Sequence, residues 1–133
     1  MRKTLKTGRI ALMSAAALVL SACSSTSDLE IAESFAAQRA DIISNSTPEQ
    51  FEHYNLVRAK SNSTEVELTL IYSGGGDLAP AALVDGLEET YCSDSEIYSL
   101  MERGVSYKFL FRDARGRPVL ERTIRSEDCE KHQ

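Results

Sequence analysis

The sequence predicts an α+β domain: a small antiparallel sheet of two hairpins covered by helices, in the order α-β-β-α-α-β-β, with one disulfide. Three observations lead there. Apolar residues recur at helical spacing over residues 29–43, and alternation, broken on the polar face by Ile71 and Leu110, marks 64–72 and 105–112 as strands. Two cysteines, Cys92 and Cys129, remain beyond an N-terminal leader of export type.

The leader comes first. Arg2, Lys3, Lys6 and Arg9 precede an apolar run over 10–20, the pattern of a secretory signal peptide spanning residues 1–22. That run is shorter than the roughly 20 residues a bilayer span needs. It ends in Leu20-Ser21-Ala22-Cys23, which resembles a bacterial lipobox. The resemblance implies that the Cys23 thiolate, a good nucleophile, takes a diacylglyceryl group through a stable thioether. A further acyl chain, such as palmitate, is then added at the new amino terminus. Two chains already anchor a protein stably, so three make the attachment permanent. Ser24 follows where aspartate would be the inner-membrane retention cue, so the expected location is the outer membrane, facing the periplasm. Residues 23–28 form a lipidated, small and polar tether, and 29–133 a single periplasmic domain.

Loss of the leader leaves 111 residues, 133 less 22, enough for one domain. It removes four of the 15 basic residues and none of the 20 acids, so 11 face 20 and the formal charge becomes −9. Such a chain is a poor partner for nucleic acid or a bare anionic bilayer. Its membrane contact is expected through the lipid alone. Eight of the basic residues fall between Arg103 and Lys131, while acids dominate 28–102.

Along the domain, Leu29, Ala32, Ala36 and Ile43, with Phe35 and Ile42 beside them, form the stripe of a first helix. Asp28 is the expected N-cap, and Asn45-Ser46-Thr47-Pro48 the stop. No lysine lines the polar face, so the stripe is expected to face a core and not a membrane. Residues 51–60 and 64–72 read as a hairpin about Ser61-Asn62-Ser63, with Val66, Leu68, Leu70 and Tyr72 inward. Pro80 opens a second helix with Leu83, Leu87 and Tyr91 at four-residue spacing. Ser93-Asp94-Ser95-Glu96 has the form of a capping box for a third, with Ile97, Leu100 and Met101 inward and Gly104 as its stop. Val105, Tyr107, Phe109 and Phe111 alternate along the clearest strand. Asp113-Ala114-Arg115-Gly116 turns it back into 118–125, with Leu120 and Ile124 inward.

In an oxidising periplasm, Cys92 and Cys129 are most simply a disulfide. It would pin the end of the last strand to the break between the middle helices. Closing a loop of about 38 residues is worth roughly 3–4 kcal/mol, a large share of a small domain's stability.

No catalytic motif, metal site or cofactor motif is present. His53 and His132 stand apart, no Cys-x-x-Cys occurs, and Gly74-Gly75-Gly76 lacks the Gly-Lys-Ser/Thr of a phosphate loop. Glu88-Glu89 and Asp94-x-Glu96 lie on predicted helix surfaces and read as solvated acids or caps. The reading is a binding or scaffolding domain and not an enzyme, with no cofactor beyond the covalent lipid on Cys23.

Several positions point further. Tyr54-Asn55-Leu56-Val57, Thr64-Glu65-Val66, Pro80-x-x-Leu83 leading to Tyr91-Cys92, Leu100-Met101, Gly104-Val105-Ser106-Tyr107, Asp113 with Gly116, and Cys129 form one framework. With the lipobox, it resembles the beta-type pilotins of type II secretion, the GspS-beta/AspS lipoproteins. The resemblance implies a pilot that captures the C-terminal segment of the secretin subunit. Lipoprotein-sorting machinery would then carry the pair to the outer membrane. The expected mode is an amphipathic partner helix in an apolar groove. Apolar residues in excess of the predicted core, Ile71, Val84, Tyr98 and Leu110, are the candidates to line it. Two other readings stay open here. One is an accessory lipoprotein of another envelope machine, such as type VI secretion, whose family implies more strands than this chain has. The other is a periplasmic inhibitor or stabiliser of an envelope enzyme, acting through Gly74-Gly75-Gly76.

Overall fold

The computed structural model describes residues 27–76 and 79–132. The leader, Cys23 and the tether up to residue 26 lie outside the described residues. Five strands, β1 (Glu49–Phe51), β2 (Tyr54–Asn62), β3 (Glu65–Tyr72), β4 (Ser106–Arg112) and β5 (Pro118–Ile124), form one sheet in chain order. Both expected hairpins are present, β2 with β3 and β4 with β5, and β1 adds a short antiparallel edge. The join between hairpins is parallel, with Leu68 beside Phe109 and Leu70 beside Phe111. The sheet is therefore antiparallel except at its centre. Parallel neighbours need a crossover, and the helices α2 (Pro80–Ser93) and α3 (Ser95–Glu102) supply it. A β-bulge between Leu56 and Arg58 accounts for the irregular pattern of β2.

One face of the sheet is covered. Tyr54, Leu56, Val66, Leu68, Leu70, Tyr107, Phe109 and Phe111 point to a core shared with Leu83, Leu87, Ile97 and Met101. Tyr54 meets Phe111 edge-on at 5.3 Å, and Tyr91 meets Tyr107 edge-on at 4.9 Å. The first helix, α1 (Asp28–Asn45), seats on the sheet through Ala32, Ala36 and Ala40. Small side chains let its backbone lie close. The larger members of the expected stripe divide: Phe35 and Ile43 pack against the core while half-buried, whereas Leu29 is 59% exposed and Ile42 52%. The N-cap is Ser27 and not Asp28. Its hydroxyl accepts from the Glu30 N–H (3.2 Å), while the Glu30 carboxylate accepts from the Ser27 N–H (3.0 Å). The cap of α3 likewise falls on Asp94, whose carboxylate accepts from the N–H groups of Glu96 and Ile97. Gly104, with φ +100°, ends that helix as its sequence position suggests.

Cys92 and Cys129 are bonded, with Cα atoms 5.2 Å apart. The bond ties the end of α2 to a 3-10 segment, Ser126–His132, that follows β5 and has no counterpart in the expected order. Above it sits a departure from the sequence reading. Glu88 is 2% exposed, not solvated. Its carboxylate takes Arg122 Nη2 at 2.9 Å, Lys131 Nζ at 2.6 Å and His132 Nε2 at 3.0 Å. Burial alone would raise its pKa; the hydrogen bonds from Lys131, His132 and Arg122 outweigh burial and hold it at about 2, from 4.5. A depressed carboxyl stabilises the fold fully above about pH 4.5 and ceases to do so as pH falls towards 2. Arg122 and Lys131 are half open to solvent, which limits the effect to about 1–2 kcal/mol. Glu88→Gln should therefore melt several degrees lower than wild type at pH 7, with the two curves converging by pH 2–3. A gap that stays constant across a pH series of thermal melts would contradict this account.

Candidate partner-binding surface

The four apolar candidates separate. Val84 is 3% exposed and belongs to the core, because α2 buries two adjacent rows of side chains and not one. Tyr98, on α3, packs against the same core. Ile71 and Leu110 lie at diagonal positions on the uncovered sheet face. That face is otherwise laced by charge: Lys60 with Glu67 (3.3 Å) and Lys108 with Glu121 (2.9 Å). Leu110 shares a shallow hollow with Pro118 and Val119, and Val119 is 54% exposed. Cys23 lies outside the described residues.

The glycine loop is a packed turn. Gly74 and Gly75 take positive φ, the Ser73 N–H donates to the His53 carbonyl, and the Tyr72 hydroxyl donates to the Gly76 carbonyl (2.6 Å). A Cβ on Gly76 would overlap the His53 ring. Among the described residues, no group of three His, Cys, Asp or Glu is placed to hold a metal, and no helix is long and apolar enough to cross a membrane.

A different surface emerges between α1 and α3. One hollow lies between Asp28 and Ile31 on α1 and Glu102, Arg103 and Gly104 at the end of α3. A second continues along the same flank, lined by Phe35, Gln38, Arg39, Ile42, Glu96 and Leu100. On α1 the spacing 31, 35, 38, 42 is the four-three-four rhythm that presents one seam to a neighbouring helix. On α3, Glu96 and Leu100, followed by the C-cap Arg103, do the same. The Arg103 guanidinium reaches over the Phe35 ring, 5.4 Å from its centroid. Ile31 and Ile42 are 38% and 52% exposed, so the seam is open. A second apolar cleft, between α2 and β1 and walled by Phe51, Leu87 and Tyr91, has free volume of only ≈ 10 Å³, about enough for one water. Another hollow, by the β2–β3 turn, is lined mainly by polar groups including Ser63, Glu65, Glu102 and Glu127. The α1/α3 groove is thus the surface with both length and apolar lining.

The sequence reading placed Phe35 and Ile42 on the core stripe, Arg39 on the polar side, and Leu100 inward. It did not connect α1 with α3. The α1 spacing was the available signal; the facing wall comes from a helix more than fifty residues later.

Tyr107 stands behind this groove, with no exposed surface. Burial raises the pKa of its hydroxyl, and the nearby Arg39 guanidinium offsets part of that rise. Burial likewise raises Tyr91.

Comparison with known proteins agrees with this architecture. The fold is similar to the pilotin EpsS from the Vibrio vulnificus type 2 secretion system (TM-score 0.72, 22% identity, covering 77% of this chain and 96% of that one). It is also similar to the type II secretion pilotin AspS from Vibrio cholerae (TM-score 0.69, 24% identity, covering 77% and 95%). No curated protein sequence matches the chain. The family model of the type II secretion system pilotin, S protein, matches residues 28–129, from the first residue of α1 to the second disulfide cysteine. The chain belongs to that family of type II secretion pilotins, accessory proteins of the export machinery and not enzymes.

Proposed function

We propose that this pilotin binds the C-terminal segment of the type II secretin as an amphipathic helix in the α1/α3 groove. Held by the lipid on Cys23, it then brings the secretin to the outer membrane with the lipoprotein-sorting machinery. The observation that carries the reading is the solvent-open seam Ile31-Phe35-Gln38-Ile42 facing Leu100, in a chain of pilotin type. A partner helix with apolar residues at the same rhythm could fill it. The anchor and the groove lie close in the chain: the tether enters α1 at Asp28, which lines the groove's first hollow. Cargo would therefore ride near the membrane.

The island of Ile71, Leu110 and Val119 supports a second reading, with docking on the uncovered sheet face. Two charge-introducing pairs separate them. Ile31→Asp with Ile42→Asp should weaken binding of a synthetic secretin C-terminal peptide by at least about 100-fold, as expected for loss of a buried apolar anchor. Because both side chains are exposed, the melting temperature should stay within about 2–3 °C. Ile71→Asp with Leu110→Asp should change the affinity less than about threefold. The opposite pattern would move the site to the sheet face, and no effect from either pair would exclude both surfaces.

A further inference from the structure

Arg39 is out of keeping with its surroundings. It lies on α1 between Phe35 and Ile42, lines the groove with Leu100 and Glu96, and is half-buried. Among the described residues it is in no ion pair. Four other arginines of the domain are engaged: Arg122 with Glu88, Arg117 with Asp113, Arg112 with the Gly116 carbonyl, and Arg103 with the Phe35 ring; unlike the remaining Arg58, Arg115 and Arg125, Arg39 lines an apolar groove. The Arg39 Nε is shielded from water, and the guanidinium lies beside the hydroxyl of the fully buried Tyr107, a neutral group that leaves its charge unmatched. A partly buried charge with only a neutral partner is unfavourable. The carboxylates at the start of α3 do not relieve it. Asp94 is committed to capping α3, and Glu96, on the facing wall, makes no ion pair with Arg39.

We propose that Arg39 is the specificity-determining residue of the groove, and that the partner helix presents an aspartate or glutamate there, flanked by apolar residues. This rests on the groove being the secretin site. A guanidinium offers a planar fork of donors to which a carboxylate matches two oxygens, and a lysine at this position could not. The apolar seam supplies area without fixing register, because a partner helix could slide along it by one heptad. One charged pair among apolar contacts pins the register and rejects helices that lack the acid.

The test uses the secretin C-terminal peptide from the same genome and a set in which each Asp or Glu is replaced singly by its amide, titrated against the full domain. One amide peptide should bind at least about 10-fold more weakly than the parent. Against Arg39→Met that same replacement should have no further effect, and Arg39→Lys should recover less than half of the lost binding free energy. If no amide replacement weakens binding to the wild-type domain, the carboxylate assignment is overturned whatever the Arg39 variants do. If the acid matters equally in wild type and Arg39→Met, it is read elsewhere and Arg39 is not the selector. The parent peptide's response to Ile31→Asp with Ile42→Asp reports separately on the groove. Weakened binding there with no amide effect removes the selector and keeps the groove, while unchanged binding removes the groove itself.

Discussion

Replacing Cys92 and Cys129 together by alanine is expected to lower the melting temperature of the domain by on the order of 15 °C. The two residues are 37 apart in sequence, and the loop they close contains α3, β4 and β5. Freeing a loop of that size returns roughly 3–4 kcal/mol of chain entropy to the unfolded state, within a total stability of about 5–15 kcal/mol. A second consequence adds to the first. The 3-10 segment held by Cys129 carries Lys131 and His132 to Glu88. Without the bond, that segment can lift away and leave a buried carboxylate with Arg122 alone, a costly arrangement. The melting temperature of the double alanine variant should accordingly become less sensitive to Glu88→Gln than wild type is. A loss of under about 3 °C in a thermal melt would show that packing, and not the cross-link, holds the C-terminal segment.

Much of this fold was legible in the sequence, and the misses have physical causes. β4 and β3 announce themselves because a sheet with one buried face imposes a period of two, and Tyr107, Phe109, Phe111 and Val66, Leu68, Leu70 keep it without a fault. Periodicity says which way a side chain points, but not which strand lies next to it. The parallel contact of β3 with β4 was therefore hidden until the crossover through α2 and α3 was in view. β1 is three residues long, too short for any pattern. On α1, hydropathy favours Leu29 and Ile42, whereas close approach to a sheet favours alanine. Glu88 looks like a surface acid because its partners lie 34, 43 and 44 positions away, at Arg122, Lys131 and His132. The groove has the same difficulty. Half of it is written in the spacing of α1, and the other half arrives from α3. The family resemblance, in contrast, rests on cysteines and turn residues spread along the chain, and the match over residues 28–129 bears it out. It also leaves no support for the type VI and enzyme-inhibitor alternatives.

The other large effect concerns the anchor. The proposed pilot combines a folded binding domain with a lipid, and the two can be uncoupled at a single atom. Cys23→Ser removes the sulfur that would carry the diacylglyceryl group and leaves residues 27–132, with the groove, unaltered. Affinity for the secretin peptide should be unchanged, while outer-membrane delivery should fail almost completely, because a protein without acyl chains has no hold on the bilayer. The measurement is fractionation of cells that export Cys23→Ser in place of wild type, followed by assay of the secretin multimer in each membrane. Accumulation of the multimer in the inner membrane, with its outer-membrane share reduced at least about tenfold, is the predicted result for a stable anchor lost. Secretin assembled in the outer membrane at wild-type level would contradict the account.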